Sequence, residues 1–306
     1  MNQSPDIDEF RAGYVSILGR ANVGKSTLLN KLLGTKIAAV SPKPQTSRDK
    51  LLGIVHGDKF ELSLLDTPGW PKSVNIDTFA SSMIKDIREA IDQSDLILLM
   101  SAPRLPGTIE RSLIKEIKDR KKPAILAINK IDTLRKSAIL PVIEQYTSLY
   151  PFEEIIPVSV LKEDNLDILI NNLAANIPKG PPKYKKDQIT DRSISFILAE
   201  IIREKIFIQY GDEIPYSTAV KIESFQQNNT GITKKDLIEA TIYIERPSQK
   251  AILVGREGKA LKEVGIDARV EIEKFLQRSV YLNLWVKTKE KWKNDEQFIR
   301  ELGQDD

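Results

Sequence analysis

The chain has 306 residues, of which 29% are charged and 41% hydrophobic, and its formal net charge is +3. It has no cysteine and one histidine. This composition excludes disulfides, thiolate metal sites and cysteine nucleophiles, and it argues against a histidine-based metal site. The apolar runs are too short to span a bilayer, and the first residues are polar and acidic. We therefore expect a cytoplasmic protein with room for two domains.

The first half of the chain, from about residue 12 to residue 176, alternates short apolar runs with segments of helical period. This pattern is typical of an α/β domain, a mostly parallel sheet with helices on both faces. Ligands of such sheets bind beyond the carboxyl ends of the strands, so we expect functional residues there. The predicted strands are Tyr14–Leu18, Leu51–His56, Phe60–Asp66, Asp95–Met100, Ala124–Asn129 and Ile155–Val158.

A glycine-rich loop of the form Gly-x-x-x-x-Gly-Lys-Ser follows the first strand and leads into a helix-patterned segment. Glycines at both ends let backbone N–H groups curl around an anion, and the helix N-terminus points at the same anion. Lys25 can supply charge to the β- and γ-phosphates, and the Ser26 hydroxyl can ligate Mg²⁺. We therefore favour a nucleotide phosphate loop over a simple glycine turn. Its predicted residues are Gly19, Arg20, Ala21, Asn22, Val23, Gly24, Lys25, Ser26 and Thr27.

A polar segment with two prolines, residues 37–49, follows the first helix and is predicted to be a flexible loop. Loops of this length inside a compact domain are more often functional than mere connectors. The hydroxyls of Thr46 and Ser47 are placed to supply a second Mg²⁺ ligand when a γ-phosphate is present.

The third strand ends in Asp66-Thr67-Pro68-Gly69. The carboxylate of Asp66 can hold hydrated Mg²⁺ from the side opposite Ser26, and the N–H of Gly69 can meet the γ-phosphate. Taken alone, this sequence fits a capped turn equally well. Together with the phosphate loop, the nucleotide-binding interpretation is favoured.

The fifth strand runs into Asn129-Lys130-Ile131-Asp132, which can read guanine. The Asp132 carboxylate can accept hydrogen bonds from the N1–H and the exocyclic amine of guanine, a donor pair that adenine lacks. The wrong base would leave this carboxylate unpaired. Lys130 can lie along the ring, and Asn129 can tie the base loop to the phosphate loop. After the sixth strand, guanine O6 can accept from backbone amides of Ser159, Val160 and Leu161.

Two alternatives remain open at this point. One is a P-loop ATPase or phosphotransferase whose second domain binds a protein or a small substrate. The other is an RNA-binding scaffold that holds GTP only for stability. The nucleotide preference of an Asp132→Asn protein would test the first alternative: a shift from GTP towards xanthosine triphosphate is expected, and no change would favour the alternative. A single-turnover hydrolysis measurement would test the second.

A segment rich in proline and lysine, residues 178–187, indicates a domain boundary. We predict a GTPase domain over residues 10–177, a linker over 178–187 and a second, α+β domain with a C-terminal tail over 188–306. The second domain is predicted as helix, strand, strand, short helix, Gly-x-x-Gly loop, long helix and strand.

The Gly-x-x-Gly loop between two helices is the arrangement with which K-homology domains clamp single-stranded nucleic acid. Its predicted RNA-binding residues are Ile252, Val254, Gly255, Arg256, Glu257, Gly258 and Lys259. Residues 183–306 carry 22 Lys and Arg against 21 Asp and Glu, so no bulk positive field marks the domain for RNA. We expect few ionic contacts and a gentle dependence of affinity on salt. A lysine row beside Trp285 and Trp292, residues 287–293, fits an RNA contact and a solvated edge equally well.

These motifs, in this order, resemble the Era-like family of translation-factor-related GTPases, in which a P-loop GTPase domain precedes a type II K-homology domain. The resemblance covers nearly the whole chain and implies GTP/GDP and Mg²⁺ as ligands. It also implies 16S ribosomal RNA in the small (30S) ribosomal subunit as target, a role in subunit assembly, a monomer, and peripheral membrane association of some copies. The resemblance also implies that Ser26, Ser47 and Asp66 bind the metal ion and that Thr46 and Ser47 belong to the first switch of the family.

Three residues depart from the family pattern. Ser47 stands where a threonine usually ligates Mg²⁺, Val160 stands where alanine is usual, and Trp70 follows Gly69 where other GTPases carry a water-orienting glutamine. Catalysis must therefore come from backbone groups, Mg²⁺, Lys25 or an added cation. Relatives that use K⁺ carry an asparagine at the position of Asn22, so the implied catalytic groups are Lys25, Asn22 and Gly69, with turnover that is slow and raised by K⁺.

Overall fold

The computed structural model describes residues 9–41, 51–71, 78–211, 213–228 and 235–303. The described residues form two compact units. The first unit comprises residues 9–34, 51–71 and 78–191, and the second comprises residues 35–41, 192–211, 213–228 and 235–303. No helix among these residues is both long enough and apolar enough to cross a membrane.

The first unit is the predicted α/β domain. Its strands are β1 (Arg11–Gly19), β2 (Leu51–His56), β3 (Phe60–Asp66), β4 (Leu96–Ser101), β5 (Ala124–Ile128) and β6 (Glu154–Pro157). Its helices are α1 (Lys25–Leu33), α2 (Thr78–Gln93), α3 (Thr108–Asp119), α4 (Leu140–Thr147) and α5 (Leu166–Asn176). All six predicted strands are present, and their ends differ from the predicted ends by three residues at most.

The six strands form one sheet in the order β2-β3-β1-β4-β5-β6, in which only β2 runs antiparallel. Every residue of β4 and of β5 is buried, and all of them except Ser101 are apolar. Such continuous apolar runs are expected where helices cover both faces of a parallel sheet. The carboxyl ends of β1, β3 and β5 consequently lie at the same edge.

Residues 178–191 pack along the first unit. The buried carboxylate of Glu61 accepts the N–H groups of Lys183 (2.8 Å) and Tyr184 (3.2 Å). Further along, the Thr190 hydroxyl donates to the carbonyl of Leu52 at 2.6 Å. The first unit extends to residue 191, and the linker predicted over residues 178–187 stays a prediction.

The second unit is an α+β fold. Its elements are α6 (Ile194–Gln209), β7 (Thr218–Gln226), β8 (Asp236–Ile244), α7 (Pro247–Val254), α8 (Lys259–Leu276), β9 (Val280–Thr288) and α9 (Glu296–Gly303). The sheet order is β7-β8-β9, with β7 antiparallel and β9 parallel to β8. The predicted element order is confirmed, but α9 was not predicted. Its Phe298 packs on Trp292 and Ala219, so it closes a small core of its own.

Residues 37–41 were predicted as the start of a flexible loop, but the first three of them are packed in the second unit. Ile37, Ala38 and Ala39 are 1%, 4% and 4% exposed and belong to the second unit. Their small apolar side chains supply the reason for burial, because removing apolar surface from water stabilises the packed state.

Candidate nucleotide and nucleic-acid sites

The phosphate loop follows β1 and turns into α1. Gly19 (φ 155°) and Gly24 (φ 109°) adopt positive φ, and a Cβ at Gly19 would lie 2.5 Å from the carbonyl oxygen of Met100. Only glycine fits these positions without strain. Gly24 is also the residue before α1 and has no side chain to cap the helix. The first N–H groups of α1 are therefore available to an anion, as predicted.

Lys25 is held inside the loop that it serves. Its side chain is buried, and Nζ donates to the carbonyl oxygens of Gly19 (3.3 Å) and Arg20 (3.4 Å). Burial lowers the pKa of Lys25, and the nearby Asp66 carboxylate opposes this effect. A phosphate bound here would give Lys25 Nζ a fully charged partner in place of the two carbonyl oxygens. The negative charge would favour the protonated form of Lys25 over the neutral form.

Ser26 and Asp66 meet although 40 residues separate them. The Ser26 hydroxyl donates to Asp66 Oδ2 at 2.6 Å, so the two predicted Mg²⁺ groups converge. A hydroxyl and a carboxylate at one point suit a small hard cation that keeps several waters. The pair fits Mg²⁺ in a phosphate site, whereas no cluster of three or more acidic or histidine ligands occurs in the described chain.

The turn after β3 lies against the phosphate loop. The Thr67 hydroxyl donates to the carbonyl of Ile17 (2.8 Å), and Pro68 is buried next to it. A Cβ on Gly69 would lie 2.7 Å from the backbone nitrogen of Ala21, so only glycine permits this approach. The Trp70 side chain packs on the apolar core of the first unit, which leaves it unable to orient a water molecule.

Asn129 joins the base loop to the phosphate loop, as predicted. Its Nδ2 donates to the carbonyl of Val23 (2.9 Å), and its Oδ1 accepts from the N–H groups of Lys130 (2.7 Å) and Val160 (3.0 Å). The side chain is 2% exposed, so these bonds are shielded from water. The β-branched Val160 is accommodated in the turn with its backbone bond intact.

Asp132 follows β5 in a short turn. The Ser159 hydroxyl donates to Asp132 Oδ1 at 2.6 Å and orients the carboxylate. Lys130 Nζ donates to the carbonyl of Asn22 at 2.8 Å, which links the base loop to the phosphate loop a second time. From the sequence, only the backbone amide of Ser159 was assigned a contact with guanine. Its hydroxyl group, which commonly donates to carboxylates, was the signal that could have predicted the bond to Asp132.

Hydrogen bonds thus link the phosphate loop to Asp66 and to the base loop of Asn129, Lys130 and Asp132. Leu161 is 71% exposed and takes no part in the hydrogen bonds of the base loop described above. Thr46 and Ser47 lie outside the described residues, so their assignment to Mg²⁺ stays a prediction.

The Gly-x-x-Gly loop of the second unit separates α7 from α8. Gly255 (φ 71°), Glu257 (φ 55°) and Gly258 (φ 74°) have positive φ, and a Cβ on Gly255 would lie 2.6 Å from Cβ of Ala260. Gly258 precedes the 18-residue helix α8, whose N-terminus has no side-chain cap and can therefore accept an anion. Lys259 pairs with Glu257 at 3.0 Å in exposed positions.

The apolar and basic groups around this loop differ in exposure. Ile252 is 58% exposed, Val254 is half-buried, and Arg256 is exposed. In the lysine row, Lys289 pairs with Asp295 (2.9 Å) and Lys293 with Glu245 (3.3 Å), so this part of the row is engaged within the second unit. Lys287 and Lys291 of the same row are exposed, so the row still fits an RNA contact or a solvated edge.

The fold and both loops match known families. The family described as "50S ribosome-binding GTPase" matches residues 14–130, and the K-homology domain family matches residues 213–293. Two solved structures, Era with MgGDPNP and nucleotides 1506–1542 of 16S ribosomal RNA and a single-residue variant of Aquifex aeolicus Era with GDP·AlF₄⁻, are each 36% identical to this chain. Their TM-scores are 0.89 and 0.88, and each match covers 96% of this chain and 99% of the other.

Relatives match over the same length. The GTPase Era of Geobacter metallireducens is 42% identical over 295 residues, 96% of this chain and 98% of that protein. The GTPase Era of Lactobacillus helveticus is 40% identical over 298 residues, 97% of each chain. The chain therefore belongs to the Era family of GTPases, in which a GTP-hydrolysing domain precedes a K-homology RNA-binding domain.

Proposed function

We propose that this GTPase binds the 3′ end of 16S ribosomal RNA and acts in assembly of the small ribosomal subunit. One combination supports the proposal: the chain carries candidate nucleotide-binding loops that hydrogen bonds link to one another, and a Gly-x-x-Gly loop with positive φ at both glycines. The RNA target is supported by the solved Era complex, which contains nucleotides 1506–1542 of 16S ribosomal RNA. The domain limits 10–177 and 188–306 belong to the same proposal.

The proposed nucleotide site assigns each group one task. Lys25 leaves the carbonyls of Gly19 and Arg20 and holds the β- and γ-phosphates, while the amides of α1 bind the remaining oxygens. Ser26, Ser47 and Asp66 hold Mg²⁺, which neutralises phosphate charge. The Gly69 N–H binds the γ-phosphate. After hydrolysis these contacts are lost, and the segments that made them relax.

Water activation must proceed without a side chain from position 70, because the Trp70 indole is packed on the core. We propose that Lys25, Asn22 and the Gly69 amide stabilise the developing charge, with K⁺ as an additional cation beside Asn22. Asn22 has φ 62° and its carbonyl is held by Lys130, which fixes this part of the loop. Turnover is then slow and faster in K⁺ than in Na⁺; equal rates in the two salts would remove the K⁺ proposal.

The RNA clamp is proposed to use shape more than charge. The residues are those predicted from the sequence, with backbone amides of the Gly255–Gly258 loop on phosphates and Ile252 and Val254 beside the bases.

A second candidate target is the large ribosomal subunit, because the family description that matches residues 14–130 names it. Sedimentation of the protein with 30S or with 50S particles separates that second candidate from the first.

Location and assembly state form a separate part of the proposal. We propose a cytoplasmic monomer, some of which associates peripherally with the inner face of the membrane. Cell fractionation and sedimentation equilibrium test these two statements separately from RNA binding.

The experiment that tests the function is cross-linking in cells followed by sequencing of the attached RNA. Wild-type protein should enrich the 3′ end of 16S ribosomal RNA, and a Gly258→Asp variant should lose that enrichment. Gly180→Asp is the matched control, because Gly180 also has open space around its Cα but lies in the first unit. Enrichment of another RNA, or equal enrichment by both variants, would contradict the proposal.

A further inference from the structure

A buried carboxylate of the first unit faces the phosphate loop. Glu110 lies in the first turn of α3 and is 2% exposed. Its Oε2 accepts from the N–H of Gly107 at 3.1 Å and so caps the helix. Such a cap occupies one oxygen of the carboxylate. The other oxygen, Oε1, lies 3.0 Å from Arg104 Nη2 and 3.8 Å from Arg20 Nη1, so the cap alone does not account for the surroundings of Glu110.

Arg20 connects three parts of the first unit. Its side chain reaches Glu110 of α3, and its carbonyl oxygen accepts from Lys25 Nζ at 3.4 Å inside the phosphate loop. Its backbone also forms a parallel β-bridge with Trp70, whose N–H donates to the carbonyl of Gly19 at 3.3 Å. The position of Arg20 therefore affects both the phosphate loop and the turn after β3.

The pair of Arg20 with Glu110 gains importance when a nucleotide binds. In the proposed site, Lys25 moves to the phosphates, and the loop then loses the two hydrogen bonds from Nζ to its carbonyls. The ion pair with Glu110 does not depend on Lys25. A Cβ on Gly69 would lie 2.7 Å from the backbone nitrogen of Ala21, so the two segments are in close contact. A shift of residues 20 and 21 would consequently displace the Gly69 N–H.

We propose that Glu110 is a positioning residue for GTP hydrolysis. Through Arg20 it holds residues 19–21, and with them the Gly69 amide, in place after Lys25 has moved to the phosphates. This inference rests on the proposed function, which assigns Lys25 and the Gly69 N–H to the phosphates. Glu110 acts through Arg20 and is not one of the groups assigned to the nucleotide.

The test is steady-state GTP turnover and GDP affinity in wild type, Arg20→Gln and Glu110→Gln. In both variants kcat should fall about tenfold, because the Gly69 amide is displaced from the γ-phosphate. GDP affinity should change by less than about twofold, since GDP has no γ-phosphate for this amide to bind. A glutamine at position 110 can still accept from the Gly107 N–H, so the cap of α3 remains. The double variant should be no slower than Glu110→Gln.

Arg104→Gln is the matched control. Arg104 pairs with the same oxygen of Glu110, but its side chain is 47% exposed and it lies outside the phosphate loop. This variant should keep kcat within about twofold of wild type. Arg20→Lys keeps the positive charge and should retain at least about half of the wild-type kcat. Thermal unfolding of each variant shows whether the fold is intact.

Three results would overturn this inference alone: wild-type kcat in Arg20→Gln, an equal loss in Arg104→Gln, or an equal loss in Arg20→Lys. A loss of GDP affinity as large as the loss of kcat would also overturn it, because a general collapse of the loop would then explain both. Lys25→Met tests the proposed nucleotide site separately. It should abolish turnover, and a wild-type rate in Lys25→Met would contradict the proposed site itself.

Discussion

The nucleotide site and the Gly-x-x-Gly loop bind anions in contrasting ways. In the nucleotide site, hydrogen bonds join segments far apart in the sequence, such as Asn129 to Val23 and Ser26 to Asp66. In the RNA loop, positive φ at three of four residues sets the backbone shape, and the ion pair of Glu257 with Lys259 is local and exposed. The first site is held by side-chain hydrogen bonds in addition to glycine geometry, whereas the second depends mainly on glycine geometry.

This difference predicts that the two sites respond differently to substitution of their residues. Side-chain changes in the nucleotide site should have large effects, because they leave buried partners unsatisfied. In the RNA loop, side-chain changes should have small effects, and changes that alter the backbone should have larger ones. The following variants test that contrast, from the largest expected effect to the smallest.

Asp132→Asn should lower GTP affinity about 1,000-fold, because guanine loses the acceptor for its two donors. Affinity for xanthosine triphosphate should rise, which calorimetry can measure with both nucleotides. Asp164→Asn is the control, since Asp164 is exposed and bonds Ser159 through its backbone. An unchanged preference for GTP in Asp132→Asn would favour an ATPase or phosphotransferase instead.

Gly24→Ala should lower nucleotide affinity about 100-fold, because a Cβ would overlap the Asn129 side chain and the residue has φ 109°. Gly34→Ala is the matched variant. It also has positive φ, 66°, but open space around it, so it should cost about 1 kcal/mol of stability and leave nucleotide affinity unchanged. Thermal unfolding and nucleotide titration of both variants separate strain from binding. If Gly24→Ala and Gly34→Ala bound nucleotide with equal affinity, the phosphate loop would tolerate the displacement that a Cβ at residue 24 causes.

Gly255→Ala should weaken RNA binding about tenfold, since its Cβ would meet Ala260 and shift the loop. Gly258→Ala has open space at the same kind of φ and should weaken binding less. Fluorescence anisotropy with a labelled single strand measures both. If Gly255→Ala and Gly258→Ala weaken RNA binding equally, then the close contact between residue 255 and Ala260 does not determine the shape of the loop.

Lys259→Gln and Glu257→Gln should shift RNA affinity in opposite directions by about two- to threefold. Losing Lys259 removes one phosphate contact, so the slope of log K against log salt should decrease by about 0.7. Losing Glu257 frees Lys259 for phosphate. Binding titrations at several salt concentrations provide the readout. A large loss in either variant would contradict a loop that works mainly through backbone shape.

The sequence sufficed to predict the strands and the segments that meet at their carboxyl ends, because each motif is local and stands at the end of an apolar strand. It did not reveal partners that only the fold brings together. The Ser159 hydroxyl on Asp132, the Glu61 contacts of residues 183 and 184, and the Glu204 contacts of residues 36 and 40 span 27 to 168 positions. The sequence also did not reveal the burial of Ile37, Ala38 and Ala39, because these apolar residues adjoin a polar segment with two prolines.

RNA affinity compared between the GDP state and a non-hydrolysable GTP state tests GTP-controlled RNA binding most directly. With a single strand from the 16S 3′ end, affinity should be about tenfold higher in the GTP state, and RNA should raise affinity for the GTP analogue by the same factor. Equal RNA affinity in both states, in a protein that still loses binding on Gly258→Asp, would contradict the switch.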